Sequence, residues 1–295
     1  MRDLVDTDTG EELIDRLFLG AGAMKAGTTW LYQVLDRHPG LHFTPEKEIH
    51  YFYAAAVRPG VLSDRIRLAN VRDKYLRIDP EKSAPFAVRQ RLRWSAAYLD
   101  GPVDDYWYRQ LFAARPPGAW ACDFSNYYAL LPVDAWRRIA ARTGELRVLY
   151  TLRDPLKRLW SHVKFHLAVT GQTEALDRWG PDRMRAFARQ NFLWENAEYG
   201  AAVRRMRAAL PPDALRFAWH EEIHADERGF LAGLERFLGL APHAYPDRLL
   251  ARKVNTTEDR GMPDWFPGLF AADVARIIAE LEGEGLTIPD GWTRP

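Results

Sequence analysis

Apolar residues come along this chain in short runs separated by stretches with helical spacing. The run from Ile14 to Ala23 predicts a fully buried first strand. Thr28 to Arg37, with Leu31, Val34 and Leu35 on one face, predicts the helix after it, stopped by His38-Pro39-Gly40. Leu41 to Thr44 reads as a short strand leading into Pro45-Glu46-Lys47-Glu48-Ile49-His50-Tyr51-Phe52. From Ala55 to Arg115 the chain is rich in Arg, Tyr and Trp and has helical spacing in places, as at Leu92, Ala96 and Leu99, which predicts a helical excursion outside the sheet. Trp120 to Phe124 is a strand, Val133 to Arg142 a helix and Leu146 to Leu152 a buried strand. Asp154 is suited to cap a helix that starts at Pro155 and runs through Leu159, Val163 and Leu167. A last strand at Leu215 to Trp219 and helices at Gly229 to Leu238 and Ala272 to Leu281 complete the pattern. Strands alternating with helices imply an α/β fold, a central parallel sheet with helices on both faces.

The length of 295 residues allows one large domain, and no linker, repeat or low-complexity run divides it, so residues 1–295 are read as a single domain with an excursion at about 55–115. Lys and Arg number 41 against 40 Asp and Glu, a formal charge of +1. That near balance argues against nucleic acid as a partner, although a local basic groove is compatible with it. The single cysteine, Cys122, excludes an intramolecular disulfide framework and a Cys-based metal cluster, and fits a reducing cytosol. Met1 to Leu13 is acidic and lacks an apolar signal core, and no apolar run approaches the length of a membrane span. The expectation is a soluble cytoplasmic protein; its oligomeric state is not legible.

Candidate chemistry concentrates at two strand-to-helix junctions. In Phe18-Leu19-Gly20-Ala21-Gly22-Ala23-Met24-Lys25-Ala26-Gly27-Thr28-Thr29-Trp30-Leu31, a buried strand passes through a turn of small residues into a helix. Small residues let main-chain N–H groups approach an anion, the helix start adds its positive end, and Lys25 with the Thr28 and Thr29 hydroxyls completes a phosphate cradle. The common phosphate loop places its lysine after the last glycine, whereas Lys25 precedes Gly27 by two, so that pattern is not met. A dinucleotide fingerprint also fails, because Lys25 stands where its third glycine belongs. The second junction places Arg153 at the end of a strand and Ser161 on the following helix, a separation of roughly 9 Å that an arginine side chain can close around one phosphate. Taken alone, Arg153-Asp154-Pro155 is a capped strand-to-helix junction.

Together these segments resemble the sulfotransferase family. Lys25-Ala26-Gly27-Thr28-Thr29 with the apolar helix and His38-Pro39 is similar to its 5′-phosphosulfate loop. Arg153-Asp154-Pro155 followed by Arg158 and Ser161 is similar to its 3′-phosphate motif, and Leu215 to Ile223 with Phe237-Leu238-Gly239-Leu240 looks like its closing strand and helix. The resemblance covers nearly the whole chain apart from the excursion, and implies a P-loop-like fold with 3′-phosphoadenosine-5′-phosphosulfate as donor. On that basis Lys25, Ala26, Gly27, Thr28, Thr29, Trp30, Arg153 and Ser161 would bind the donor, Lys25 stabilising the leaving phosphate. No metal is required by this scheme. A looser match puts Arg260 and Gly261, with Lys253 behind them, in a loop over the 3′-phosphate.

In the glycan-acting branch a Glu after the second strand is the general base, a role the resemblance gives to Glu48. His50 is the rival base, and His38 and His42 are read as structural. One departure stands out: those relatives carry a lysine where this chain has Phe124, which puts an anionic sugar acceptor in doubt. Tyr127 and Tyr128 would suit an apolar or aromatic acceptor wall or the core. The acceptor itself, a small molecule, lipid or glycan, is not legible. Two rival readings are a small-molecule kinase with an altered phosphate loop, which would need Mg²⁺ and an acid at a strand end, and a catalytically silent module that binds adenosine bisphosphate.

Overall fold

β1 (Ile14–Gly20) lies in the middle of a five-stranded sheet of order β2-β3-β1-β4-β5, with β2 at Leu41–Phe43, β3 at Trp120–Phe124, β4 at Thr143–Leu152 and β5 at Leu215–Trp219. All neighbouring strands are parallel, with Gly20 level with Phe124 on one side and Leu149 on the other. The computed structural model describes residues 12–79, 81–252, 254 and 260–294. The period of two in β1 sends its side chains to opposite faces. Leu17 and Leu19 join one buried cluster with Val148, Trp136, Leu159 and Phe270, while Phe18 joins another with Trp30, Leu31, Val34, Leu234 and Leu238. The sheet is therefore covered on both faces, as its near-continuous apolar strands predict.

Helix α1 (Thr28–Leu35) follows β1. Between β2 and β3 the chain forms α2 (Tyr51–Ala56), α3 (Asp64–Asn70), a π-type turn at Val71–Tyr75, α4 (Pro85–Leu99) and α5 (Asp105–Gln110). These helices hold together through rings and one buried cation: Trp94 stacks on Tyr98 at 4.9 Å, and Arg67 donates to the carbonyl of Tyr98 at 2.7 Å and to Asp64 at 2.7 Å. After β3 come α6 (Val133–Ala141) and, beyond β4, α7 (Pro155–Val169). Asp154 caps α7 by accepting from the N–H groups of Leu156 and Lys157, as the Asp-Pro pair predicts.

Residues 171–210 form α8 (Ala175–Arg178), α9 (Pro181–Ala188), α10 (Asn191–Trp194) and α11 (Tyr199–Arg207). After β5 come α12 (His220–Ala225), α13 (Glu227–Phe237), α14 (Asp247–Leu250) and α15 (Phe266–Gly283). α15 begins six residues before the apolar spacing signals it, with Pro267 in its first turn. β1 also ends earlier than its apolar run, yet pairing with β4 continues: Ala21 donates to Leu149 and Ala23 to Thr151. β1 leads leftward to β2 and β4 rightward to β5, so their carboxyl ends diverge and open a crevice. Among the described residues no helix is long and apolar enough to cross a membrane.

Candidate active site

Two close approaches set the path of the loop after β1. A Cβ on Gly20 would stand 2.5 Å from the Phe124 ring, and Gly27 has φ of 87° at the N-terminus of α1, where a side chain would be strained. Lys25 is itself left-handed, with φ of 69°. Its carbonyl accepts from Arg153 Nη1 at 3.0 Å, which ties this loop to the end of β4. The Ala26 N–H closes the turn onto the Ala23 carbonyl, so the outward donors are those that begin α1 at Gly27, Thr28 and Thr29. The Trp30 side chain is buried and donates to the Leu250 carbonyl at 3.0 Å, leaving only its main chain near the cradle.

The Lys25 ammonium lies 4.4 Å from the centre of the Phe165 ring on α7. Ser161, Lys164 and Phe165 share one face of that helix by their spacing, so Ser161 lies on the side that meets Lys25. Burial first, then the charges of Arg153, Lys47 and Lys164, pull the Lys25 pKa down to about 8, and among the described residues no carboxylate acts on it. Two histidines nearby, His162 and His220, are held neutral. Burial, Arg158 and Lys25 lower His162 to about 2, and burial, Arg153 and His224 lower His220 to about 3. The crevice is thus lined by cationic side chains.

Glu48 lies beside it, in the segment after β2. Oε1 accepts from Lys47 Nζ at 2.6 Å and from the Asn126 side-chain amide at 2.6 Å, while Oε2 accepts from the Asn126 N–H at 2.8 Å. Burial pushes this carboxyl up, but Lys47, His50 and the Asn126 N–H outweigh it and hold its pKa below the ordinary value. Lys47 also donates to the Thr28 hydroxyl at 3.1 Å, and Thr28 donates to Asn126 Oδ1 at 3.2 Å, so cradle and carboxylate form one network. His50 Nε2 is 3.6 Å from Glu48 Oε2, and its ring stacks on Tyr127 at 4.7 Å, with Tyr53 beyond at 5.0 Å. Burial foremost lowers the His50 pKa, and its Nδ1 is buried without a partner.

Asp123, at the end of β3, is fully buried and accepts from Ser125, Tyr128 and Tyr108 hydroxyls at 2.6, 2.5 and 3.1 Å. Asp154 Oδ2 accepts from the N–H and hydroxyl of Thr293. Both strand-end acids therefore have their oxygens occupied, unlike the open carboxylate a kinase needs for Mg²⁺.

The structure thus brings Lys25, Gly27, Thr28, Thr29, Arg153 and Ser161 to one crevice and sets Glu48 and His50 at its edge. Arg260 is placed differently: its carbonyl accepts from Trp160 and Lys164, but its guanidinium turns away to Asp177 and the Thr173 carbonyl at 3.4 Å. Gly261 follows it in the same segment, and Lys253 lies outside the described residues. Phe124 is a core residue, its ring edge-on to Phe18 and Phe43. Tyr128 is core as well, whereas Tyr127 flanks Glu48 through His50. His38 is structural, accepting from the Gly40 N–H through Nδ1 and meeting the Ala241 carbonyl through Nε2. Lys47, Lys164, Asn126, Asp123 and the two neutral histidines are site residues that the pattern of the sequence does not single out.

Fold and crevice define a P-loop-like α/β protein with a cationic crevice where its sheet diverges. The chain belongs to the sulfotransferase family, whose model matches residues 18–244. No curated protein matches it in sequence. Solved structures that it resembles include a sulfotransferase from Alicyclobacillus acidocaldarius, with a TM-score of 0.62 and 19% identity over 95% of this chain and 99% of that one. The sulfotransferase domain of the Synechococcus PCC 7002 olefin synthase gives 0.51 and 17%, covering 98% of this chain and 100% of that one. The sulfotransferase domain from the curacin biosynthetic pathway gives 0.52 and 14%, covering 96% and 95%. At these identities the likeness is one of fold.

Proposed function

We propose that the crevice binds 3′-phosphoadenosine-5′-phosphosulfate and that Glu48 takes the proton from an acceptor hydroxyl or amine. The observation that carries this reading is the surround of Lys25, where Arg153, Lys47 and Lys164 act on the ammonium and, among the described residues, no carboxylate does. Like charges held so close repel until anionic oxygens enter among them. When bound, the donor supplies a sulfuryl group on a phosphate leaving group, whose negative charge grows as the sulfur–oxygen bond breaks. Lys25 and the N–H groups that begin α1 are already aimed at that charge, and they favour the transition state over the ground state. Arg153 and Ser161 grip the second phosphate of the donor, and Arg260-Gly261 borders the same face of α7 through Lys164.

Glu48 is the base because it is held ionised and because its three hydrogen bonds leave one of about four acceptor positions for the acceptor's proton. His50, with Nε2 3.6 Å from Glu48, forms with Tyr127 and Tyr53 an aromatic flank suited to an apolar part of a small-molecule or lipid acceptor. A cytoplasmic setting is part of this proposal and accords with the one thiol, Cys122, which is buried in β3. The test is donor turnover: supply the sulfate donor with an extract of candidate acceptors and follow release of adenosine bisphosphate. Lys25→Ala lowers turnover about 10²–10³-fold, and Glu48→Gln lowers it about 10²–10⁴-fold while sparing donor binding. Turnover that survives Lys25→Ala would refute the role of the cradle, and turnover that survives Glu48→Gln would remove Glu48 as base.

A further inference from the structure

The excursion between β2 and β3 carries a surface that the chemistry above does not use. α4, Pro85–Leu99, contains Arg89, Arg91 and Arg93 and no acidic residue. Its inward face is Arg91, Trp94, Ser95 and Tyr98, which leaves Phe86, Arg89, Leu92, Arg93 and Ala96 on the outward one. Phe86 is 67% exposed and Leu92 41%, so the outward face mixes large apolar groups with cations. Next to it, Leu68, Val71, Leu76 and Leu99 line a groove of about 710 Å³ together with Arg65 and Arg72. Leu68 and Leu76 are themselves at least half exposed.

Charge separates this surface from the rest of the molecule. Residues 58–100 carry ten Lys and Arg against five Asp and Glu, a net +5 in a chain whose total is +1. Asp64, Asp73 and Asp79 are engaged by Arg67, Arg72 and Lys82. Among the described residues no carboxylate pairs with Arg65, Arg89, Arg91 or Arg93. Leucine and phenylalanine interleaved with unpaired arginines match a partner that is apolar and anionic at once.

We propose that this face docks the protein onto an anionic lipid bilayer. A bilayer meets both demands: Phe86, Leu92 and the leucines of the groove enter the acyl boundary, while the arginines reach headgroup phosphates with their stems lying along the apolar surface. A protein partner would have to place carboxylates between those apolar contacts. The surface is also joined to the active site, because Lys74 and Tyr75, beside the groove, grip the buried Glu46 at 2.7 and 3.0 Å, two residues before Glu48.

The test is co-sedimentation of the full chain with vesicles of phosphatidylcholine alone and of phosphatidylcholine mixed with phosphatidylglycerol, at low and physiological salt. Binding is expected only with the mixed vesicles and weakens as salt rises. The double variant Arg89→Glu, Arg93→Glu lowers partitioning at least ~20-fold, whereas Arg89→Lys, Arg93→Lys stays within about 3-fold of the parent. Phe86→Ser with Leu92→Ser lowers it about 10-fold or more, with melting temperature unchanged because both side chains are exposed. No binding, or equal binding to both vesicle types, overturns the proposal. So does a concentration-dependent dimer, seen by light scattering, that Phe86→Ser disperses, since a second copy would then cover this face.

Discussion

Lys25 combines two unfavourable conditions: a left-handed backbone, with φ of 69°, and an ammonium set among other cations. Both are maintained by neighbours, the first by the Arg153 guanidinium on its carbonyl and the second by packing against Phe165. The consequence is a lysine that titrates near pH 8 in the free protein, pulled down by burial and then by Arg153, Lys47 and Lys164. A depressed lysine loses its charge as pH rises through that value, so affinity for a multiply charged phosphate ligand should be full below it and fall above it. Calorimetric titration with adenosine 3′,5′-bisphosphate from neutral pH to about pH 10 measures this directly. Lys25→Arg should move the fall to higher pH, because a guanidinium stays charged throughout. An affinity that is flat across the range would show that Lys25 is not the group gripping the phosphate.

At the level of elements, the site is two strand-to-helix junctions, β1–α1 and β4–α7, side by side where the sheet diverges. The second is braced from far along the chain. The Asp154 N–H donates to Glu221 Oε1, Trp292 Nε1 donates to Glu221 Oε2, and Thr293 gives two hydrogen bonds to the buried Asp154 Oδ2 at 2.7 and 2.8 Å. Thr293→Val removes the hydroxyl one, and a buried carboxylate that loses a donor costs about 1–3 kcal/mol. The melting temperature should fall and bisphosphate affinity should weaken, while Thr293→Ser restores both; a valine variant that melts and binds like the parent would show that the brace is not felt at Arg153. The contrast between the junctions and their braces also explains what a reader of the sequence can find. Buried parallel strands are apolar runs, so Trp120–Phe124 and Leu215–Trp219 are legible to the residue, and the Asp154 cap is a local event. Asn126, whose two N–H groups hold Glu48 across 78 residues, and Thr293, 139 residues from Asp154, are ordinary polar residues until the sheet brings them together. The helices α8 and α10 leave no period because each is only four residues long.

Over the whole molecule, a near-neutral charge conceals a cationic crevice, a cationic excursion and a carboxyl buried between them. Asp123 joins β3 to α5 through Tyr108, to the turn at Asn126–Leu130 through Tyr128, and to the Glu48–His50 segment through Ser125, whose hydroxyl also accepts from the His50 N–H at 2.9 Å. Burial raises its pKa to about 7 against the pull of those three hydroxyls, and the nearby Glu48 charge adds to the rise. The native state therefore favours the protonated carboxyl, whereas in the unfolded chain Asp123 ionises near its ordinary value of 3.8. The stability this contributes is fully present below the unfolded value and is lost as pH rises through about 7, a difference of at most about 4 kcal/mol. Asp123→Asn mimics the protonated form at every pH. Between about pH 4 and pH 7 the parent should lose melting temperature relative to this variant, with the gap widening fastest near about pH 5–6, between the unfolded and native values, and levelling off above about 7. The same ionisation would place a second negative charge near Glu48, so the variant should also hold the geometry of the Glu48–His50 segment at alkaline pH, read as a slower amide exchange at His50. Parallel melting profiles for parent and variant across that range would mean that Asp123 is ionised throughout and that its three hydroxyl donors, not the proton, hold β3 to the Glu48–His50 segment.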